Sequence, residues 1–111
     1  MRTVAIACAA VVLTANLSYG QDAKVARGQK LYADNKCALC HSIEDKGNKK
    51  GPLDSVGVKR TAEEIRQWLI NPAEMSGKTK STRKPPMPSY AKLSKEDVEA
   101  LIAYMVTLKK S

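Results

Sequence analysis

The sequence predicts a small all-α domain, and three observations carry that reading. Thr61-Ala62-Glu63-Glu64 and Ser94-Lys95-Glu96-Asp97 each place a hydroxyl residue ahead of acidic ones, the signature of a helix start. Val98, Leu101, Ile102, Met105 and Val106 then recur at i, i+3, i+4, i+7 and i+8, an apolar stripe with helical period. No βαβ pattern appears anywhere in the chain.

Residues 1–20 read as a cleaved secretory leader. Arg2 supplies a positive start, and Val4 to Leu13 is apolar but shorter than the ~20 residues that span a bilayer. Ser18-Tyr19-Gly20 sets small residues where a signal protease cuts, so cleavage is expected after Gly20. The leader takes Cys8 with it, leaving Cys37 and Cys40 and no disulfide framework. An uncleaved membrane anchor is the competing reading of this stretch, and no stable anchor is expected. The leader implies export, to the periplasm in a bacterial cell.

Residues 21–111 are then one domain. A first helix is expected from Ala23 to Asn35, with Val25, Gly28, Leu31 and Tyr32 on one face. Glycine inside a helix costs about 1 kcal/mol relative to alanine, so Gly28 points to another helix crossing closely there. From Ser42 to Lys59 the chain is punctuated by Gly47, Gly51, Pro52 and Gly57 and reads as loop. The Thr61 capping box opens a helix that Asn71-Pro72 stops near Ile70, with Ile65, Trp68 and Leu69 on its inner face. Pro72 to Pro88 is Pro- and Lys-rich and reads as a connection without helical period. Leu93 and Val98 bracket the start of the final helix as a hydrophobic staple, and Lys109-Lys110 complement its dipole.

The chemistry-bearing stretch is Cys37-Ala38-Leu39-Cys40-His41. C-x-x-C-H is the attachment pattern of c-type haem. Two thiols one turn apart reach the two vinyl groups along one edge of the porphyrin, and the adjoining imidazole meets the iron. A redox dithiol would want a cytosolic βαβ setting. A zinc site would want four N or S ligands, and the chain has one histidine and a single further cysteine, in the leader. A second iron ligand is available in Met87, whose thioether is soft and whose backbone is stiffened by Pro85, Pro86 and Pro88. Met75, in the same connection, reads as a packing or exposed residue, and Met105 as core.

Cys37, Cys40 and His41, followed much later by Pro86-Met87-Pro88 and a final amphipathic helix, resemble a class I monohaem cytochrome c of exported, bacterial type. The resemblance covers nearly all of the chain after the leader. It implies a small cytochrome c fold with N- and C-terminal helices crossing and one covalent haem c in the core. It implies His41 and Met87 as the axial pair. Gly51-Pro52-Leu53 resembles the family's segment on the proximal side of the haem, where the Pro52 carbonyl would accept the His41 Nδ1–H, unless the segment is an ordinary turn. Trp68 either packs on a haem edge with its N–H toward a propionate or is plain core. The chain contains no Phe, so the cofactor would also supply apolar bulk, and the haem-free chain is expected to fold poorly.

The implied function is one-electron transfer by a monomeric periplasmic carrier, with no catalytic residue. The net charge of +8 suits steering toward the acidic docking surface of redox partner proteins, or is only a solvated surface. Lys46, Lys49 and Lys50 after the haem-binding turn, and Lys78, Lys80, Arg83 and Lys84 before Met87, are placed to ring the haem edge. Few aromatics are present to read bases, so no nucleic acid is expected. A haem subunit of a larger exported oxidoreductase is the second reading. A haem enzyme or sensor with an open iron is a third. It requires Met87 not to bind, and peroxidase chemistry would want a distal His or Arg while the single histidine is already spent.

Overall fold

The computed structural model describes residues 9–110. Part of the expected leader, with Cys8, lies outside them. Helix α1 runs Ala9–Asp34, a 3-10 turn spans Cys37–Leu39, and a minimal hairpin pairs β1 (Ser42–Ile43) with β2 (Lys46–Gly47). Helices α2 (Val56–Lys59), α3 (Ala62–Ile70), α4 (Pro72–Thr79) and α5 (Lys95–Met105) follow. Among the described residues, no helix is long and apolar enough to cross a membrane.

Helix α1 starts well before Ala23 and ends one residue before Asn35, whose backbone N–H and side-chain amide both donate to the Leu31 carbonyl, at 2.9 and 2.8 Å. Val25, Gly28, Leu31 and Tyr32 are its less exposed side, as the stripe predicts. This side lies across α5. A Cβ at Gly28 would collide with the Ala100 carbonyl oxygen and stand 2.7 Å from the Tyr104 Cβ. The backbones therefore meet through Gly28 and Ala100, and Tyr32 packs edge-on against Tyr104 with centroids 6.0 Å apart. Close approach on this side and packing on the other bury α5 more fully than a single stripe would: Ala100 and Ala103 are buried along with Val98, Leu101, Ile102 and Met105.

Both helix starts match the capping residues. Thr61 Oγ1 accepts from Glu64 N at 3.1 Å while Glu64 returns a bond to Thr61 N at 2.8 Å. Ser94 Oγ accepts from Asp97 N at 3.1 Å. Ile65 and Leu69 of α3 complete the core with α5, and Arg66 of α3 holds Glu99 of α5 through two nitrogens at 2.9 and 2.8 Å.

Three local expectations need correction. The connection after α3 is not without helical period, because Pro72 stops α3 and then occupies the first turn of α4, where its missing N–H costs nothing. A Glu74–Lys78 pair supports α4, and left-handed Lys80 ends it. The stretch from Ser42 to Lys59 holds the hairpin and α2. The two hairpin loop residues, Glu44 and Asp45, both have positive φ (52° and 66°), as a type I′ turn requires. Lys109 and Lys110 lie beyond the end of α5 and do not cap its dipole. The tail is tied instead to α2 and the segment before it, with Gly57 N donating to Leu108 O at 2.8 Å and Lys110 N to Asp54 O at 2.9 Å.

The same substitution should act in opposite directions at two glycines. Gly28→Ala overpacks the crossing and should lower stability by about 1–2 kcal/mol. Gly77→Ala, on α4 with nothing within 4 Å, should raise it by about 0.5–1 kcal/mol. Denaturant midpoints of the two variants check both signs.

Candidate functional site

After α1, Lys36 takes a left-handed conformation (φ 56°) and turns the chain into Cys37–Leu39. Cys40 N and His41 N both donate to the Cys37 carbonyl, at 3.1 and 3.0 Å, which brings the two thiols and the imidazole into one tight turn. Asn48 holds that turn from outside. Its backbone N–H lies 3.0 Å from Ala38 O and 2.9 Å from His41 O, and its side chain donates to Leu39 O at 3.1 Å. Cys37 and Cys40 are free and half-buried. Burial pushes the Cys37 thiol up to about 11. A redox dithiol needs the opposite shift, toward thiolate.

His41 Nδ1 lies 3.0 Å from the Gly51 carbonyl oxygen. Burial is the main force holding the imidazole pKa below its ordinary value. The Gly51 bond opposes it, and the Arg83 charge adds to the depression. A neutral ring with its proton on Nδ1 leaves the Nε2 lone pair for a metal.

The acceptor is therefore Gly51, not Pro52 as expected. Ser42 N donates to Gly51 O at 3.1 Å and Leu53 N to Ser42 O at 2.8 Å, a parallel bridge. Successive carbonyls of an extended segment point to opposite sides. The bridge turns the Gly51 carbonyl and the Leu53 N–H toward Ser42, beside the haem-binding turn, and the Pro52 carbonyl away. Pro52 still lines the cavity described next.

A cavity of about 950 Å³ opens beside the core. Cys37, Cys40, His41, Pro52, Trp68 and Met87 all line it, so one space gathers every residue singled out for the cofactor. Met75 is half-buried on α4 and does not line it. Tyr32 Oη and Trp68 Nε1, both in the cavity wall, are buried without a hydrogen-bond partner. Orphaned donors of this kind are rare in folded proteins and call for an acceptor the chain does not supply. Burial also pushes the Tyr32 hydroxyl up to about 12, keeping it a donor. Lys36, Lys59, Arg60, Arg83 and Lys110 add positive charge to the wall, and Arg60 lies over the Trp68 ring at 5.4 Å. A large, mostly apolar space with a nitrogen ligand, a thioether, two thiols, two waiting donors and five basic side chains fits a haem with its carboxylate arms.

The family profile of cytochrome c matches residues 25–109. The chain belongs to the cytochrome c family. Membership makes this a class I c-type cytochrome. The domain is similar to cytochrome c oxidase subunit 2 of Alkalihalophilus pseudofirmus, at 28% identity over 92 residues, covering 75% of this chain and 25% of that relative. The cytochrome thus spans about a quarter of the relative's length. No solved structure matches it.

Three contributors escaped sequence reasoning: Asn48, the Gly51 carbonyl and the Tyr32 hydroxyl. Gly51 acts through a backbone carbonyl aimed by the parallel bridge, and Asn48 acts through both its backbone N–H and its side-chain amide on partners fixed only by the fold. Tyr32 lay in an apolar stripe, where the only signal was a hydroxyl that a core position does not need.

Trp68→Phe keeps an aromatic ring and deletes the N–H. In the haem-loaded protein it should cost about 1.5–3 kcal/mol, the loss of one bond to a charged acceptor. Thermal denaturation measures this, and unchanged or increased stability would show that the N–H is unpartnered there.

Proposed function

We propose that this cytochrome is a periplasmic one-electron carrier, made with a leader over residues 1–20 and working as a monomer with one haem. Cys37 and Cys40 hold the cofactor as thioethers. His41 binds the iron through Nε2, and Met87 binds it from the segment between α4 and α5. Bound haem supplies the ferric/ferrous couple. The chain's part is to fix, orient and bias it. Gly51 holds the His41 ring in one tautomer and raises its basicity as a ligand. Tyr32 and Trp68 offer their free donors to the carboxylate arms, and Ile65, Leu69, Leu101 and Met105 exclude water from the inner wall. With His41 and Met87 both holding the iron, no coordination site would remain for a substrate, which disfavours the open-iron enzyme or sensor. Lysines near the haem-binding turn orient an acidic redox partner, an effect that charge exerts mainly on encounter rate.

The observation that carries this reading is that His41 and Met87, far apart in sequence, line one cavity while Met75 does not. A second reading, a haem subunit of a larger exported oxidoreductase, is favoured by the likeness to part of an oxidase subunit. Co-purification with a larger partner separates the two.

The sixth ligand is tested by substitution. Methionine sulfur on ferric haem gives a weak absorption band near the red end of the visible spectrum. The band should survive Met75→Ala and vanish in Met87→Ala. The Met87→Ala protein should also show a lower reduction potential, because thioether ligation raises it, and should bind cyanide or CO readily. Loss of the band in Met75→Ala alone would reverse the ligand assignment.

A further inference from the structure

Arg83 sits four residues before Met87, yet its guanidinium reaches back to the start of the site. Nη2 donates to the Cys40 carbonyl, the peptide unit that leads directly into His41. Nη1 lies against Gly51, where a Cβ would collide with both the guanidinium and the Cys40 carbonyl. Gly51 is also the residue whose carbonyl orients His41. One side chain from the Met87 segment thus contacts the two backbone units that carry and orient the other iron ligand.

No acidic side chain among the described residues pairs with this charge. Among the described residues, the ion pairs of Arg27, Lys30, Arg66 and Lys78 account for the contacts between basic and acidic side chains, and Arg83 is in none of them. It is half-buried and lines the cavity. A buried charge is screened far less than an exposed one. Arginine is suited to such a place because it stays protonated and its fork can serve two acceptors in a fixed geometry.

We propose that Arg83 is a positioning residue that ties the Met87 segment to the Cys40–Gly51 face and sets a fixed positive charge beside His41, favouring the reduced iron. This rests on the haem ligation proposed above. The two functions separate chemically. Lysine keeps the charge but loses the fork, and glutamine loses the charge.

The test uses the haem-loaded protein, with attachment read as haem staining on a denaturing gel and Met87 ligation read as the red absorption band of the unheated protein, so that a failure of ligation and a failure of this proposal are distinguishable. Arg83→Gln should lower the reduction potential and Arg83→Lys should largely keep it. Lys92→Gln, which removes one exposed charge, should change the potential less than Arg83→Gln. The shift in Arg83→Gln should persist at 1 M salt, where the Debye length is ~3 Å. In both Arg83 variants the red absorption band should disappear at a lower temperature than in the wild type, because the tie to Cys40 is gone or weakened. Arg83→Gln with wild-type potential overturns the proposal. So does an equal fall in Arg83→Lys and Arg83→Gln, or a shift in Lys92→Gln as large as that in Arg83→Gln.

Discussion

An interior that the chain does not fill by itself is the constraint on which the rest of this structure depends. Among the described residues, the buried hydrophobic cluster is Ile65, Leu69, Val98, Leu101, Ile102 and Met105, drawn from α3 and α5. There is no Phe to add bulk, and small domains bury proportionally little of their surface. Protein interiors are packed as tightly as organic crystals, so a cavity of about 950 Å³ beside such a core is lost contact unless something occupies it. A haem is flat, apolar over its faces and charged at one edge, and the wall matches that distribution. The cofactor is then structural as well as functional, and covalent attachment suits a group whose departure would remove much of the core.

Around that space the chain builds two supports. One is the crossing of α1 on α5, where Gly28 and Ala100 allow backbone approach and Tyr32 meets Tyr104. The other is the chain of backbone bonds from Asn48 through the haem-binding turn to Gly51. The first fixes where the turn leaves α1. The second fixes how His41 faces. Ion pairs such as Arg66–Glu99 join elements already packed together, and partly exposed pairs of this kind contribute little. The charge that matters to the site is Arg83, which has no acidic partner among the described residues.

Much of this was legible in the sequence because it is local. A hydroxyl and a carboxylate three residues apart make a cap at Thr61 whatever lies elsewhere, and an apolar stripe on α5 needs a partner. Gly28 could be read as a crossing because a glycine there has no other use. C-x-x-C-H announced the cofactor through chemistry rather than fold. What stayed hidden depended on long-range geometry. The hairpin turn uses Glu44-Asp45 at positive φ, where Asn-Gly or Asp-Gly would have been the recognisable choice. Helix α4 carries Ser76-Gly77 and no strong apolar stripe, so it is held by its place after α3 more than by propensity. The acceptor for His41 is one residue from the expected Pro52 because a parallel bridge, invisible in the sequence, sets the direction of each carbonyl.

The central claim is that this cavity holds one haem bound covalently through Cys37 and Cys40. The intact mass of the purified, fully denatured protein tests it most directly. The account predicts a chain heavier than the processed polypeptide by one haem, with the increment lost when Cys37 and Cys40 are both replaced by Ala. A denatured chain of unmodified mass, purified from cells that attach haem to other cytochromes, would contradict it.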